Sequence, residues 1–489
     1  MRIRVPEMKK ISEYLIEKYG KWGWLGQRAH DACGINRILP LDLIICCDHG
    51  RELPVYFRPE DVYSVEGGTG IRRDWSNEDL NDSLKGDLGR RIRRRLVTQG
   101  GKVNLICYRS VRRLENGKGR YRNNPRLLAV AQRIKKRFDN KALLHRSLPG
   151  LSLPQIPGIV DRISRADFKR LREDLELPFV IQFPYGSSGH YTFLIKRPKD
   201  LKSLVEHHPE ATALIRKYID GFSLNVNAVV LSSGNGPRVM CSAPSVQMTG
   251  IPECSNSPAS FCGNDYSAAR DLDPALVRQV KSYMETIGRW MASSGFRGLF
   301  GMDFVVKDGT AYPVEINPRF QNSTSLLTVL HSLSANRKGT LFLLHIAEFL
   351  QDKDVLLRRY IKDFPAEELM RPVEGSQLII HNRLEKRLVT GDLFPGVYRR
   401  QRKGLKHLKQ GASLWDCSGP DEFLLTSGVP APSLRVEPNA PVLKIQSRGN
   451  LLDISNKRRL TPETAKIVSL VYERLSLKKP GRVKTAEPA

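Results

Sequence analysis

The stretch 301–320, GMDFVVKDGTAYPVEINPRF, restricts its own fold more than any other part of the chain. Two apolar runs flank an Asp-Gly pair, which is typical of a β-hairpin turn. Successive side chains of a strand point to opposite faces. On the second strand Glu315, Asn317 and Arg319 therefore share one face. The pattern predicts a hairpin with one apolar face and one polar face.

The length of the turn decides which face Asp303 takes. A two-residue Asp-Gly turn would pair Asp303 with Val314, and Asp303 and Glu315 would then lie on opposite faces. A three-residue turn over 307–309 would pair Asp303 with Pro313. Asp303 would then share a face with Glu315, as it would in any other register of the same parity. The sequence is compatible with both turns, and a common site requires the shared face.

Two carboxylates and an amide oxygen on one face would form a site of hard oxygen ligands. Mg²⁺ prefers such ligands and completes its octahedral shell with water and phosphate oxygens. Arg319 at the edge of this face could hold a phosphoryl group or a carboxylate. The alternative is an ordinary hairpin whose polar face is solvated.

The composition indicates a globular protein of several domains. The chain has 489 residues, of which 40% are hydrophobic, and this length corresponds to about two to four domains. No apolar stretch approaches the roughly 18 residues of a membrane span. The first residues lack the apolar segment of a signal peptide. We therefore expect a cytoplasmic protein without a membrane partner.

The formal net charge of +28 indicates a surface that attracts anions. Basic residues are concentrated at 89–96, 108–126, 133–138 and 398–409. A solvated basic face explains these segments as well as an acidic partner does. Nucleic acid is not favoured, because no zinc finger, KH loop or RNP-like motif accompanies the charge.

The eight cysteines show neither a CxxC pair nor a Cys/His cluster with zinc spacing. Their surroundings are apolar or loop sequence. This usage predicts buried free thiols.

The chain is predicted to have three parts. Residues 1–139 mix strand-like runs at 41–48 and 102–110 with a helix at 123–138, whose first turn would be capped by Asn124. This pattern indicates an α/β domain.

The second part, residues 140–368, contains a strand, a loop of small residues and another strand within 178–193. A long helix with 3.6-residue periodicity follows at 274–296, and a further helical region at 326–350. The third part, residues 369–489, reads as β-rich, with a closing helix and a disordered tail.

The small-residue loop could bring backbone N–H groups close to an anion, because its residues add little bulk. These residues are Gly186, Ser187, Ser188 and Gly189. No Lys-Ser/Thr pair follows, so the loop is not a Walker A motif. A plain β-turn is the alternative interpretation of this loop.

The order of these features resembles the ATP-grasp superfamily. A lysine at 141 precedes the strand–loop–strand, and the segment RKYIDGF, the long helix and the hairpin follow. The family signature of an acidic residue followed by Glu-x-Asn, often with Pro-Arg, matches Asp303 and EINPR at 315–319. The resemblance implies an α/β and α+β multidomain fold. Its parts would be an N-terminal α/β domain, a two-subdomain ATP-grasp core and a β-rich C-terminal domain.

The resemblance also implies roles for single residues. Asp303, Glu315 and Asn317 would hold Mg²⁺, with Mn²⁺ as a substitute, against the phosphates of ATP. Lys141 would contact the α- and β-phosphates, and the small-residue loop would cover the β- and γ-phosphates. Arg319 would act in catalysis by steadying the acyl-phosphate or the γ-phosphate.

The nucleotide hinge is matched less closely. Lys217, Tyr218 and Ile219 would contact the adenine, mainly through their backbone. Where many members have a second phosphate-binding lysine this chain has Gln182, and where many have a ribose-binding glutamate it has Ser223. Both departures concern the details of nucleotide binding and leave the metal residues intact.

The implied activity is that of an ADP-forming ligase, which activates a carboxylate as an acyl-phosphate and joins it to an amine. The segments NNPRLL, PSVQMTG and CGNDY resemble bacterial peptide ligases of specialised metabolism. The substrates would be amino acids or peptides, and an acidic peptide or a carrier protein would suit the basic surface. A homodimer is compatible with this family.

Two rival functions remain open at this point. An ATP-grasp kinase of an anionic small molecule would also suit the basic surface. A non-catalytic basic protein that binds nucleic acid would require a decayed site, and the intact acidic residues argue against decay.

Overall fold

A computed structural model describes most of the chain. The described residues are 8–98, 102–109, 111–115, 125–186, 191–234, 236–334, 339–385, 387–402, 404–453 and 455–479. Among them no helix is both long and apolar enough to cross a membrane. All eight cysteines are buried and free, which confirms the prediction from their spacing.

The N-terminal part contains a parallel sheet of five strands in the order β3-β2-β1-β5-β6. The strands of this part are β1 (Trp22–Leu25), β2 (Leu43–Cys46), β3 (Val62–Ser64), β4 (Ile71–Arg72), β5 (Asn104–Cys107) and β6 (Arg126–Leu128). The helices are α1 (Met8–Tyr19), α2 (His30–Ile35), α3 (Val65–Thr69), α4 (Asn77–Ser83), α5 (Asp87–Thr98), α6 (Arg112–Glu115) and α7 (Gln132–Phe138). Apolar runs buried on both faces are typical of parallel strands, and β1, β2 and β5 are buried throughout.

The helix predicted over 123–138 was wrong in its first half. Strand β6 occupies part of this segment and pairs in parallel with β5, so that Leu127 lies opposite Leu105. Helix α7 begins only at Gln132. The free edge of β5 takes these residues as a strand, and such tertiary pairing overrides a local helical preference. The predicted cap Asn124 lies outside the described residues.

A small antiparallel sheet follows, with strand order β7-β10-β8-β9. Its region comprises α8 (Lys141–Ser147), β7 (Gly158–Arg162), α9 (Phe168–Leu175), β8 (Phe179–Gln182), β9 (Thr192–Ile195), α10 (Pro198–His207) and β10 (Thr212–Lys217). Residues of α9, α10 and the sheet form a hydrophobic cluster of their own, separate from the larger clusters. This sheet is therefore a self-contained packing unit.

A large sheet of eleven strands forms the other main layer. Its first elements are β11 (Phe222–Leu231), β12 (Arg238–Cys241), β13 (Ser245–Thr249), β14 (Phe261–Asp265), α11 (Pro274–Ser293), β15 (Gly298–Lys307) and β16 (Thr310–Asn317). Helices α12 (Asn322–Leu333), α13 (Leu341–Leu350), α14 (Val355–Asp363) and α15 (Glu367–Met370) follow. The predicted long helix is confirmed as α11, with Asp273 as its cap.

The C-terminal strands extend this large sheet. The elements are β17 (Ser376–His381), β18 (Arg387–Val389), β19 (Gly396–Gln401), β20 (Gly404–Lys409), β21 (Glu422–Thr426), β22 (Arg435–Val436), β23 (Pro441–Ser447), α16 (Pro462–Leu475) and β24 (Leu477–Lys478). Strand β17 pairs with β14, so the hydrogen-bonded ladder continues past residue 368. The three predicted domain boundaries stay predictions. The tail was expected to be disordered, but Leu477–Lys478 form β24, which pairs with β18. Residues 480–489 of the tail lie outside the described residues.

Asp265 at the end of β14 ties residues 451–452 of the C-terminal part to the strands that precede it. Its carboxylate is fully buried and accepts hydrogen bonds from the backbone N–H groups of Ala268 (2.8 Å), Leu451 (2.7 Å) and Leu452 (3.0 Å). The role of Asp265 is therefore structural. Within the CGNDY segment, Asn264 rather than Asp265 lines a cavity between the small and the large sheet.

We expect Asp265→Ala to destabilise the fold by about 3 kcal/mol, because it leaves three buried N–H groups without acceptors. Urea unfolding followed by circular dichroism measures the shift. Asp271→Ala is the matched control, since Asp271 is exposed and such a surface change costs at most about 0.5 kcal/mol. Equal midpoints for the two variants would contradict this role of Asp265.

Candidate active site

The hairpin of β15 and β16 brings Asp303 and Glu315 onto one face by a route that differs from the predicted one. The turn is the two-residue form, with Lys307 opposite Thr310. Asp308 and Gly309 have positive φ angles of 49° and 75°, as a type I′ turn requires. Of the two turns compatible with the sequence, the two-residue turn forms and the three-residue turn over 307–309 does not.

A β-bulge restores the parity that the short turn would lose. Phe304 pairs with Pro313, but Asp303 pairs with Glu315, so Val314 is the extra residue of β16. Strand β16 lies at the edge of the large sheet, where bulges are common and where proline is tolerated because an edge strand has one side without a partner strand. Asp303 and Glu315 are consequently direct cross-strand partners on the same face.

The two carboxylates create a local excess of negative charge. Burial, together with the charge of Glu315, raises the pKa of Asp303. Like charges directly opposite each other on a sheet destabilise it. Asn225 of the neighbouring strand β11 donates to Asp303 Oδ1 at 2.6 Å and fixes its orientation. This face is therefore built to accept positive charge.

Asn317 and Arg319 complete the polar face of the hairpin. The amide of Asn317 donates to Asp303 Oδ2 at 3.4 Å, and its Oδ1 accepts from Arg319 Nη2 at 2.7 Å. Arg319 also donates to the Phe320 carbonyl at 2.8 Å and to the Tyr108 hydroxyl at 3.2 Å. The Nε of Arg319 is buried without a partner among the described residues. One donor of this guanidinium therefore remains for a ligand.

Lys141 links this face to the small sheet. It is the first residue of α8, whose cap Asn140 accepts from the Leu143 N–H at 3.0 Å. The Lys141 ammonium lies 2.9 Å from Glu315 Oε1 and donates to the Gly186 carbonyl at 3.0 Å. A buried cation thus stands between the paired carboxylates of Asp303 and Glu315, here called the metal face after its predicted role, and the start of the small-residue loop.

Gln182, the neutral residue in place of a second lysine, has a cationic partner. Arg216 on the adjacent strand β10 donates to Gln182 Oε1, and Gln182 Nε2 donates to Thr192 Oγ1 at 3.0 Å. Burial lowers the pKa of Arg216 to about 10, while the charge of Glu315 acts in the opposite direction. Arg216 is still a cation at neutral pH. The positive charge that a lysine at position 182 would have supplied therefore lies on the adjacent strand β10.

The described residues of the predicted nucleotide site lie around one cavity of about 390 Å³ between the small and the large sheet. The predicted residues that line it are Lys141, Gln182, Gly186, Lys217, Tyr218, Ile219, Ser223, Asp303, Glu315, Asn317 and Arg319. Ser187, Ser188 and Gly189 lie outside the described residues. The side chain of Lys217 is ion-paired with Glu176. Residue 217 would therefore contribute to the predicted adenine site mainly through its backbone.

Sequence reasoning missed several polar residues of the cavity. Asn225 on β11 faces Asp303, and Gln247 on β13 hydrogen-bonds the same carboxylate. The signal for Asn225 was present, because Ser223, Asn225 and Asn227 alternate with apolar residues along β11. No local pattern indicated Arg216, Arg28 or Arg109. Their positions depend on how distant elements pack.

The residues at the hairpin fit Mg²⁺. Asp303 and Glu315 supply hard carboxylate oxygens on facing positions, and Asn317 supplies an amide oxygen two residues on. No group of three or more His, Cys, Asp or Glu side chains suited to a metal occurs in the described part of the chain. Mg²⁺ is usually bound by one or two carboxylates, and phosphate oxygens and water complete its shell.

The residues around the cavity match a known protein family. The family model described as ATP-grasp domain matches residues 138–323, a range that holds all of the predicted site residues. Residues 138–323 form an ATP-grasp domain. The small sheet and the large sheet are the two layers between which the cavity of this domain lies.

The curated relatives match only part of the chain. The carbamoyl phosphate synthase large chain of Caldanaerobacter subterraneus subsp. tengcongensis is 27% identical over 168 residues, which is 33% of this chain and 14% of that protein. The arginine-specific large chain of Geobacillus stearothermophilus is 22% identical over 206 residues, which is 41% of this chain and 18% of that protein. The chain thus spans less than a fifth of the length of these relatives.

Solved structures share the fold over nearly the whole chain. The N5-carboxyaminoimidazole ribonucleotide synthetase of Thermus thermophilus has a TM-score of 0.51 at 12% identity and covers 94% of this chain and 99% of its own. The Aspergillus clavatus N5-carboxyaminoimidazole synthase, in complex with ADP and 5-aminoimidazole ribonucleotide, has a TM-score of 0.51 at 12% identity and covers 92% and 98%. These likenesses support the multidomain fold predicted from the sequence.

We expect Arg216→Gln to weaken MgATP binding about tenfold, because a charge-assisted hydrogen bond to phosphate contributes about 1.5–3 kcal/mol. Adding Gln182→Lys should restore part of the affinity by returning the cation to the neighbouring strand. Isothermal titration with a non-hydrolysable ATP analogue measures both.

Arg172→Gln is the control for this pair of changes, since Arg172 is exposed on α9 and does not line the cavity. If Arg216→Gln binds the analogue as tightly as the control does, Arg216 does not take the place of the missing lysine.

Proposed function

We propose that this protein is an ATP-dependent ligase that joins a carboxylate to an amine and releases ADP and phosphate. The observation that carries the proposal is the cross-strand pair of Asp303 and Glu315, with Lys141 linking Glu315 to the Gly186 carbonyl. This arrangement supplies metal ligands and a cation side by side in the cavity of an ATP-grasp domain. Phosphoryl transfer is catalysed mainly by such positioning and charge neutralisation.

In the first step an oxygen of the substrate carboxylate attacks the γ-phosphorus of ATP. The bond between this phosphorus and the β,γ-bridging oxygen breaks, ADP leaves and an acyl-phosphate forms. Bound Mg²⁺ would supply positive charge to the phosphate oxygens. Asp303, Glu315 and Asn317 would hold the ion, with Mn²⁺ as a substitute. Lys141 and Arg216 would neutralise phosphate oxygens, and the unpartnered Nε of Arg319 would orient the reacting carboxylate.

In the second step the amine nitrogen attacks the acyl carbon and loses a proton, and phosphate leaves. Water must be kept from the acyl-phosphate during this step, because hydrolysis would release the free acid. The small-residue loop that begins at Gly186 is the segment that we assign to this covering role. The backbone at 217–219 would hold the adenine, and Ser223 would lie at the ribose.

We further propose that the product is a peptide bond, with an amino acid or a peptide as each substrate. The segments that resemble bacterial peptide ligases support this, since Gln247 and Thr249 of PSVQMTG and Asn264 of CGNDY line the cavity. An acidic peptide or a carrier protein would complement the charge of +28. The homodimer stays a prediction.

We expect the purified protein to release ADP and inorganic phosphate from MgATP when pooled amino acids and short peptides are present. Glu315→Gln should lower this turnover by about 10²-fold or more, because it removes a charge that positions the metal and Lys141. A coupled assay for ADP and a colorimetric assay for phosphate measure the two products.

Glu206→Gln is the matched control, since Glu206 is exposed on α10 and does not line the cavity. Turnover that survives Glu315→Gln would reject the metal assignment. ADP release without inorganic phosphate would instead support the kinase, whose product keeps the γ-phosphate. Salt-sensitive binding to DNA without any turnover would support the non-catalytic alternative.

A further inference from the structure

Arginines from the N-terminal sheet line the same cavity as the metal face. Gln27 and Arg28 follow β1, and Tyr108 and Arg109 follow β5. Strands β1 and β5 are parallel neighbours, while β2 lies on the other side of β1. The crevice at the carboxyl ends of β1 and β5 is therefore a topological switch point, where open α/β sheets bind ligands.

Arg109 carries a donor that the protein leaves unused. Its Nε is buried and makes no hydrogen bond to the described residues. Burial and the charge of Arg319 lower the pKa of Arg109 to about 10, while Asp139 acts in the opposite direction. Asp139 itself lies 2.6 Å from the Lys135 ammonium, so its charge is already paired.

The three guanidiniums line the same cavity, and Arg319 donates to the hydroxyl of Tyr108, the residue before Arg109. The charge of Arg319 acts on Asp303 of the metal face, and the charges of Arg319 and Arg28 both act on Arg109. Arg109 therefore shares its surroundings with two further cations. Neighbouring buried cations repel each other, and an anion between them offsets both the repulsion and the loss of solvation.

One carboxylate does not require this much positive charge. One guanidinium donor can orient a carboxylate by a charge-assisted hydrogen bond. Arg319 alone, next to Asn317, is placed for the reacting group. Carboxylates at Asp31, Asp48 and Asp74 already act on Arg28. Arg109 is therefore the main donor left for another anionic group, with Arg28 lining the same cavity.

We propose that the carboxylate substrate carries a second anionic group, a carboxylate or a phosphate, which Arg109 and Arg28 bind at the switch point of the N-terminal sheet. This inference rests on the proposed function, because it assigns the activated carboxylate to the Arg319 end of the cavity. Arg28 and Arg109 are specificity-determining residues in this scheme. The nucleotide site does not include them.

The test uses pairs of probes that differ in one acidic group. The pairs are L-glutamate and L-glutamine, L-aspartate and L-asparagine, and O-phospho-L-serine and L-serine. Isothermal titration of the full chain with saturating MgADP measures each affinity. We expect the acidic member of at least one pair to bind about ten times more tightly or better, which is the effect of one charge-assisted hydrogen bond. The preferred pair distinguishes a carboxylate from a phosphate.

Arg109→Gln should reduce this preference to less than about threefold and leave the affinity for MgADP unchanged, because the variant lacks the charge that holds the second anion. Arg278→Gln, on the exposed side of α11, removes the same charge outside the cavity and should keep the preference. Should Arg109→Gln fail to fold by circular dichroism, Arg28→Gln provides the second variant, with the same expected loss of preference.

The inference is overturned when no pair shows a preference in the unchanged protein, or when the preference survives in the variants at both arginines. Its failure can be told apart from failure of the ligase proposal. Turnover with neutral acids alone would overturn the second anionic group and leave the ligase intact. A clear acid preference without any ADP release would leave the arginine site and reject the ligase.

Discussion

The direct pairing of Asp303 with Glu315 is the constraint on which the rest of the site depends. Two carboxylates in adjacent positions of a half-buried sheet repel each other, so the surrounding residues must supply cations or hydrogen-bond donors. Asn225, Lys141 and Arg319 do so from three different elements. The cost of this repulsion is offset only partly by the protein, and a divalent cation with bound phosphates would offset the remainder.

The site draws charge from three layers of the fold. The large sheet provides the acidic face, the small sheet provides Arg216 and Gln182, and the N-terminal sheet provides Arg28 and Arg109. Residues of all three layers line the central cavity. Under the proposed function, the phosphate chemistry would belong to the ATP-grasp domain and the choice of acid to the parallel sheet. The residues proposed to hold the metal lie in one motif and could be recognised there, whereas Arg28 and Arg109 come from separate segments.

Much of the fold could be predicted because its signals are local. The periodicity of α11, the buried runs of β2 and β5 and the Thr461 cap of α16 each lie within one segment. The prediction failed where pairing with a distant strand decides the structure. Residues 126–128 form β6 because β5 has a free edge, and the hairpin parity depends on a bulge at Val314 rather than on the turn. The roles of the site residues stay predictions, although the structure brings the described ones together.

The separate hydrophobic cluster of the small sheet has a mechanical consequence. The large sheet continues without a break from β16 to β20, so Asp303 and Glu315 lie in one sheet with the C-terminal strands. The small sheet packs on its own cluster and carries Gly186 and Arg216. Opening and closing of the cavity should therefore occur as a hinge rotation of the small sheet, with its interior unchanged. The small-sheet groups proposed to contact phosphate would then move together. Asp303 and Glu315, which are proposed to hold the metal, would stay in place.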